Sequence, residues 1–445
     1  MKKGLRRLAV LCAVFLAVAG FVPYETGAFD KIQEDAPCTV EVVKEYMLPV
    51  CELASTLTEP EVIKLANGLV EVSLVPNRGR VLFEYLYKPT GVNYLYASRQ
   101  PIPFETADGY IAEFGGYYLS LPWNTRDRQP YDLEREIVAK SGDEASVRLW
   151  ARDPATELMA EILISLRKGS SRVEISSVLK NDQSRTAAFI PGDHCVMAYP
   201  AAGKPTTLWL PAEKVVPGEN QGGWMGPAGQ SKPWPQPWLL SSSFRAKGEF
   251  AVPRLEAPFF AVAGAGAGFV RSWSPADIYD TLKVFAWGTR YGDELGGERY
   301  AHFVAGGPKR ELPAGGSMKT TTYLYAASKL ENIIAANGEA CVSAIWDAAK
   351  KQARFAVARP AVNGEAVRLT LTLAAPDGKI LGSATSGELA GVGPNMPAFG
   401  GLSLPIAPKD LAAQSLRLVV VVEDSSGGRL LEQTVPAALI LPLKR

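Results

Sequence analysis

Two histidines are the residues best suited to acid–base chemistry in this 445-residue chain, which contains no others. His194 lies in IPGDHCVMAYP and His302 in RYAHFVAGG, each where an apolar strand meets a Gly- or Pro-bearing turn. Imidazole titrates near neutrality, so it can pass a proton to or from a substrate oxygen. Both are candidate catalytic residues, and the alternative is that each is a hydrogen-bonded histidine of the core.

Tryptophans form a second group of candidates. Trp224, Trp234 and Trp238 lie among Pro and Gly in PGENQGGWMGPAGQSKPWPQPWLL, a composition that a sheet interior does not tolerate. Indole rings can stack on the C–H faces of sugars, so we predict a substrate-binding loop. The alternative is a hydrophobic plug at the end of a sandwich. Arg80, in a Gly-bearing turn, is either a sugar-binding guanidinium or a solvated turn charge.

Composition narrows the class of partner. Lys and Arg number 47 against 46 Asp and Glu, a net charge of +1, so no basic surface favours nucleic acid. No Cys-x-x-Cys, His-Glu-x-x-His, Gly-x-Ser-x-Gly or EF-hand pattern is present, and we expect neither a metal site nor a cofactor. Whether calcium binds to scattered carboxylates stays open.

The N-terminus has the pattern of a secretory signal. MKKGLRR is followed by the apolar run Leu8–Gly20, shorter than the about 20 residues of a spanning helix, and by small-residue cleavage sites at Ala19 and Ala28. We therefore expect residues 1–28 to be a signal peptide and the protein to be secreted or periplasmic, without a membrane span after cleavage. The alternative is an uncleaved N-terminal anchor.

Four cysteines follow the signal segment. An even number in an exported chain permits disulfides, and Cys38 and Cys51 flank a short segment and are the natural pair. Cys195 and Cys341 either pair with each other or are buried singly.

Alternating apolar residues predict an all-β protein. Residues 29–59 read as an N-terminal arm. From about residue 60 the runs LVEVSLV, LMAEILISL, RVEISSVL, LKVFAW and TTTYLYA are separated by Gly, Pro, Asn and Asp. We predict one large antiparallel sandwich or barrel over residues 60–327.

The remainder of the chain predicts a linker and a smaller domain. Ser328 with Glu331 in SKLENIIAA has the spacing of a capping box, so we expect a helical linker over 328–340. Residues 341–445 alternate again, as in VRLTLTL, with PDG and SSGG turns, and predict a small Ig-like β-sandwich.

Three ordered stretches resemble the galactose mutarotase-like (aldose 1-epimerase-like) superfamily, in its uncharacterised branch. They are GLVEVSLVPNRGRVLFEYLYKPTGVNYLY, the stretch from SSRVEISSVLKNDQS to His194, and LKVFAWGTRYGDELGGERYAHFVAGG with its following strands. The segment FGGYYLSLPWN also resembles these relatives. The resemblance covers residues 60–327 and implies a large antiparallel β-supersandwich.

The resemblance also implies a concave sheet face that holds a sugar between a general-acid histidine and a general-base glutamate. His194 matches the histidine-bearing strand, whereas His302 stands where relatives carry an acid, so no glutamate can be assigned as the base. The segments that carry the resemblance add site-lining candidates: Trp123, Asn124, Trp273 and Trp287.

We therefore expect an exported protein that binds or processes carbohydrate. If it is an enzyme, the resemblance implies an aldose 1-epimerase-like isomerase or another carbohydrate-active enzyme. The alternative is a non-catalytic periplasmic glucan-assembly or structural protein, since such proteins also join a large sandwich of this kind to an Ig-like domain. The sugar, the linkage and the oligomeric state are not indicated.

Overall fold

Strands account for nearly all the regular structure of the protein. The computed structural model describes residues 33–45, 61–106, 109–120, 132–198, 207–219, 225–235, 248–264, 266–287, 300–330, 332–347, 349–362, 365–404 and 416–441. Within these ranges the chain contains no α-helix, and so no helix that could span a membrane, and its helical turns are the 3-10 turns Pro76–Arg78 and Ala437–Ile440. The predicted all-β class is confirmed.

The strands of the first half, in chain order, are β1 (Cys38–Lys44), β2 (Glu61–Ala66), β3 (Val70–Val75), β4 (Arg80–Tyr87), β5 (Val92–Asn93), β6 (Ala97–Thr106), β7 (Gly109–Leu119), β8 (Glu134–Ala139), β9 (Ser141–Gly142), β10 (Glu144–Arg152), β11 (Met159–Arg167), β12 (Val173–Lys180), β13 (Ala187–Phe189), β14 (Gly192–Ala198), β15 (Thr207–Trp209) and β16 (Lys214–Pro217).

The second half contains β17 (Lys232–Pro233), β18 (Gly248–Val252), β19 (Phe259–Gly264), β20 (Ala267–Ser274), β21 (Thr281–Trp287), β22 (Tyr300–Gly306), β23 (Arg310–Leu312), β24 (Ser317–Ser328), β25 (Ala335–Ala336), β26 (Cys341–Asp347), β27 (Gln352–Ala358), β28 (Val367–Ala374), β29 (Ile380–Thr385), β30 (Ala398–Leu402), β31 (Arg417–Asp424) and β32 (Arg429–Pro436).

Two large antiparallel sheets form the main body. The first has 14 strands, in the order β17-β16-β18-β21-β22-β14-β7-β4-β3-β2-β1-β9, with β5 on β4 and β6 on β7. The second has eight, in the order β15-β19-β20-β24-β12-β11-β10-β8. Their facing sides share one hydrophobic cluster, in which Phe260 of the second sheet stacks on Phe303 of the first at 4.5 Å. This is the sandwich that the alternating pattern predicts.

A buried ion pair joins the two sheets. Asp193 on β14 and Arg271 on β20 are both fully buried and meet through one guanidinium nitrogen. Tyr117 on β7 donates its hydroxyl to the same carboxylate at 3.1 Å, and the Arg271 guanidinium lies 4.4 Å from the ring of Trp273. The pair therefore fixes where β14 lies against the second sheet.

The C-terminal part consists of two four-stranded antiparallel sheets, β25-β26-β27-β30 and β29-β28-β31-β32. Alternate residues of β28 and β31 are buried, as the pattern VRLTLTL predicts. The Ser171 backbone N–H of the main body donates a hydrogen bond to the Pro360 carbonyl, and the Tyr87 hydroxyl donates one to the Pro394 carbonyl. Residues Gln33–Arg445 form one compact unit. The division at 327 and 341 and the Ig-like character of this part stay predictions.

The helix predicted within 328–340 is not present in the described residues of that segment. Ser328 is the last residue of β24, Lys329 has a left-handed backbone with φ 60°, and Ala335–Ala336 pair with β26 as a short strand. All residues from 332 to 336 are buried. A linker helix with a capping box would have one face exposed to solvent, and residues 332–336 have no exposed face.

The buried ion pair generates a stability prediction. Asp193→Ala leaves the Arg271 guanidinium buried without its partner, so we expect the free energy of unfolding to fall by about 3–5 kcal/mol. Urea denaturation measures the change. The matched control is Glu388→Ala, which removes a partner of the exposed pair Arg368–Glu388 and is expected to cost about 0–1 kcal/mol. Equal losses in the two variants would contradict a structural role for the buried pair.

Candidate functional site

The two histidines meet on the face of the 14-stranded sheet that points away from the sandwich core. Asp193, Cys195 and Met197 of β14 point into the core, so alternation places His194 and Val196 on the opposite face. On β22, Ala301, Phe303 and Ala305 belong to the core cluster, and His302 lies between them on the other side. Because β14 and β22 are neighbours, both imidazoles reach the same surface.

A hydrogen-bonded chain of three side chains crosses this surface. The hydroxyl of Ser120, just after β7, lies 2.6 Å from His194 Nε2. His194 Nδ1 lies 2.9 Å from His302 Nε2. A hydrogen bond between two imidazole nitrogens has room for one proton, so the two rings cannot both be imidazolium while it is intact. We call Ser120, His194 and His302 the polar relay.

Aromatic and cationic groups hold the central ring of the relay in place. The Tyr118 ring stacks on His194 at 4.5 Å with an interplanar angle of 3°. The Arg80 guanidinium lies 4.0 Å from the centre of the Tyr118 ring, a cation–π contact. Tyr96 and Tyr300 stack beside them at 4.5 Å. His194 is only 4 % exposed, whereas His302 is half-buried.

Two glycines of β7 let this strand pack closely against the backbone of Tyr96 and Leu82. Gly115 and Gly116 have φ values of +83° and +79°, and a Cβ atom would lie 2.0 Å from the Tyr96 carbonyl oxygen and 2.4 Å from that of Leu82, respectively. Only glycine meets both demands. The Gly-Gly of FGGYYLSLPWN therefore positions Tyr118, which follows it on the strand, and Ser120, which comes just after the strand.

A cavity of about 430 Å³ lies further along the same face. Glu249 of β18 and Lys283 of β21 line it, together with the backbone around Gly218. In the register His302 is opposite Phe285, and Phe285 is opposite Glu249, so the glutamate lies two strands from His302, about 10 Å at ordinary strand spacing. The face thus combines imidazole, carboxylate and ammonium groups.

The structure places some of the predicted site residues at the polar relay and places others away from it. His194, His302 and Arg80 lie together, and Arg80 is buried rather than a solvated turn charge. Trp287 ends β21 opposite Tyr300 in the register. Trp234 instead packs on Phe250 in the core, as the plug alternative requires.

Trp273 also lies outside the relay, because it packs against Arg271 between the two sheets. Four other predicted residues lie outside the described residues: Trp123, Asn124, Trp224 and Trp238. The proposed signal peptide, residues 1–28, lies outside them as well.

The described cysteines are buried thiols. Cys38 donates to the Leu166 carbonyl at 3.4 Å, and burial raises its pKa to about 11. Burial likewise raises the pKa of Cys341 to about 12 and that of Cys195 above its ordinary value, so none of the three supplies a thiolate at neutral pH. Cys51 lies outside the described residues. Its predicted disulfide with Cys38 would replace the free thiol that Cys38 has in this structure, and non-reducing peptide mapping tests that prediction.

Sequence reasoning missed Ser120, Tyr118 and Glu249. Tyr118 and Ser120 are two residues apart in FGGYYLSLPWN, so the alternation of side chains along a strand predicts that both lie on the same face. Nothing in the sequence pairs Glu249 with His302. Among the described residues, no group of three or more His, Cys, Asp or Glu is arranged to hold a metal ion.

Comparison with known proteins supports likeness at the level of the fold. No protein-family model and no curated protein matches the chain. A TPR-domain containing protein from Parabacteroides distasonis matches with 14 % identity and a TM-score of 0.53, over 65 % of this chain but only 55 % of that one. At such identity a likeness shows the fold alone.

Galactose mutarotase-like proteins are also among the solved structures that match. The one from Clostridium acetobutylicum has 13 % identity and a TM-score of 0.41, over 65 % of this chain and 99 % of that one. The one from Lactobacillus casei has 12 % identity and a TM-score of 0.38, over 60 % and 99 %.

The glycine at the close approach generates a second prediction. Gly116→Ala places a methyl group 2.4 Å from the Leu82 carbonyl oxygen in a left-handed backbone, so we expect a loss of unfolding free energy larger than conformation alone explains. The matched control is Gly391→Ala, at φ +65° with open space around it, which should lose about 1–2 kcal/mol. Urea denaturation compares them, and equal losses would show that β7 can move aside.

Proposed function

We propose that this protein is exported and binds or processes a carbohydrate on the sheet face that carries the polar relay. The observation that carries the proposal is the 2.9 Å contact between the chain's two histidines on that face, opposite the core. Ionisable groups gathered on the sheet face that points away from the sandwich core are typical of a binding or catalytic site.

The chemistry of the face suits a sugar. Hydroxyl groups are recognised by hydrogen-bonding side chains such as imidazole, carboxylate and ammonium, and sugar C–H faces by aromatic rings. Phe285 lies 6.1 Å from His302, ring centre to ring centre, between the relay and the Glu249 cavity. A cavity of this size accommodates a ligand of one or two sugar rings.

If the protein is an enzyme, the resemblance to aldose epimerases implies proton exchange at a sugar oxygen. Such a reaction needs one group that gives a proton and another that takes one. The relay supplies the first when one of its two imidazoles has taken up a second proton from solvent, because an imidazolium can give up a proton near neutral pH whereas a neutral ring cannot. Glu249, the half-buried carboxylate two strands away, is the group we propose for the second.

The first test separates a binder from an enzyme. His302→Ala, wild type and the control Glu388→Ala are compared on a glycan array and by polarimetry of freshly dissolved hexoses, with thermal melts to establish folding. Loss of a hydrogen bond to a bound hydroxyl weakens binding by about threefold to tenfold. Loss of a proton-transfer group lowers a rate by about 10²–10⁴.

A loss confined to binding would identify a carbohydrate-binding protein and not an enzyme. The alternative function, a non-catalytic glucan-assembly or structural role, would be favoured if His302→Ala changed neither binding nor rate. No glycan bound and no hexose converted by the wild type would contradict the carbohydrate proposal itself.

The second test addresses the carboxylate. Glu249→Gln keeps the shape of the side chain and removes its basicity, so we expect a rate loss of about 10²–10⁴ with hexose affinity changed less than tenfold. The matched control is Glu219→Gln, which alters another carboxylate of the same cavity. Equal rates in wild type and Glu249→Gln would exclude Glu249 as the base.

A further inference from the structure

Burial separates the roles of the two histidines. Both ring nitrogens of His194 have partners within the protein, Ser120 at Nε2 and His302 at Nδ1, and Tyr118 covers one face of its ring. His194 is therefore enclosed at the centre of the relay. His302 is half-buried and is the more accessible of the two rings.

The buried hydroxyl of Ser120 sets the direction of the relay. Ser120 is 1 % exposed, and in the described part of the chain its hydroxyl has one acceptor within hydrogen-bond distance, His194 Nε2. A hydroxyl group that is buried away from water must donate its proton to an acceptor within the protein, or a hydrogen bond is lost on folding. The Ser120 proton therefore points to Nε2, which must be unprotonated.

The tautomer of each ring follows from that first donation. A neutral His194 whose Nε2 accepts carries its proton on Nδ1 and donates it to His302 Nε2. A neutral His302 whose Nε2 accepts carries its own proton on Nδ1. All hydrogen bonds then run one way, from Ser120 through His194 to His302.

We propose that His302, as a neutral ring protonated at Nδ1, is the histidine that meets the sugar, and that His194 and Ser120 are positioning residues that fix its tautomer. The proposal rests on the carbohydrate function proposed above and names the contact residue. A ring in this state is a hydrogen-bond donor, so its target is an acceptor oxygen of the sugar, a hydroxyl or the ring oxygen.

The tautomers can be measured without any ligand. The full chain contains two histidines, so labelling with ¹⁵N-histidine gives spectra of two imidazoles only, and His302→Asn assigns them. At about pH 8, well above the ordinary histidine pKa of about 6.5, long-range proton–nitrogen correlations report the protonated nitrogen of each ring. We expect Nδ1–H in both. A His194 protonated at Nε2 would overturn the proposal.

Variants of Ser120 test its positioning role. Ser120→Ala removes the donor, so the His194 ring should lose its exclusive Nδ1–H form, whereas Ser120→Thr keeps a hydroxyl and should restore it. The control is Ser146→Ala, a serine of β10 that is equally buried in the second sheet. An unchanged His194 tautomer in a folded Ser120→Ala protein would overturn the role of Ser120.

Sugar titration tests which ring meets the ligand. D-glucose, D-galactose and D-mannose are added in turn to the labelled wild type, and we expect the His302 nitrogen signals to shift more than those of His194. Larger shifts at His194 would overturn the assignment. If no sugar moves either ring, the carbohydrate function and the ligand role of His302 both fail, whereas the ligand-free spectrum still decides the tautomers.

Discussion

The fully buried Asp193–Arg271 pair is the interaction on which the arrangement of the site depends. Two charges between apolar sheets are tolerated only when they meet, because an unpaired buried charge costs several kcal/mol. Asp193 must therefore point toward β20. Since side chains alternate along a strand, its neighbour His194 must point to the opposite face. A slip of one residue in β14 would place a histidine in the core and expose the aspartate.

This constraint explains why β14 does not show the pattern of a half-exposed strand. Six of its seven residues, from Gly192 to Met197, are buried, because one face meets the core and the other meets Tyr118, Tyr96 and Tyr300. A sheet buried on both faces leaves few accessible polar groups on either. The polar relay is thus a small polar feature within an apolar surface, where hydrogen bonds are electrostatically stronger than in water.

Local pattern predicts many of the strands and the face on which their residues lie. It did not predict β1, which pairs with β2 although the sequence indicated an N-terminal arm over residues 29–59. Val70, Val72 and Leu74 are buried as alternation requires, and the two histidines meet because both lie on strands. The partners of those strands are a matter of long-range pairing. Trp273 follows Arg271 into the core for that reason, and no local signal distinguishes such a tryptophan from one that lines a site.

The helix expected after Ser328 failed for a related reason. Its capping-box spacing is a local signal, and the burial of residues 332–336 between β20, β24 and the C-terminal sheets overrides it. Arg80 is the opposite case: the turn before it is real, with Gly79 in a left-handed conformation, but the side chain leaves the turn to cover Tyr118. Both outcomes depend on contacts between residues far apart in the chain.

The relay itself follows from sheet geometry. His194 is directly opposite Tyr118 on one side and Val304 on the other, so its relay partners Ser120 and His302 are each two residues away, on the diagonals. Diagonal neighbours lie about 7–8 Å apart, a separation that an imidazole ring can bridge but two short side chains cannot. The central residue of the relay must therefore carry a side chain that reaches toward both diagonal neighbours, as His194 does. One of those neighbours must also be long, as His302 is. A two-residue slip of either outer strand would keep every side chain on its face and still break the relay, so its hydrogen bonds depend on the register of three strands at once.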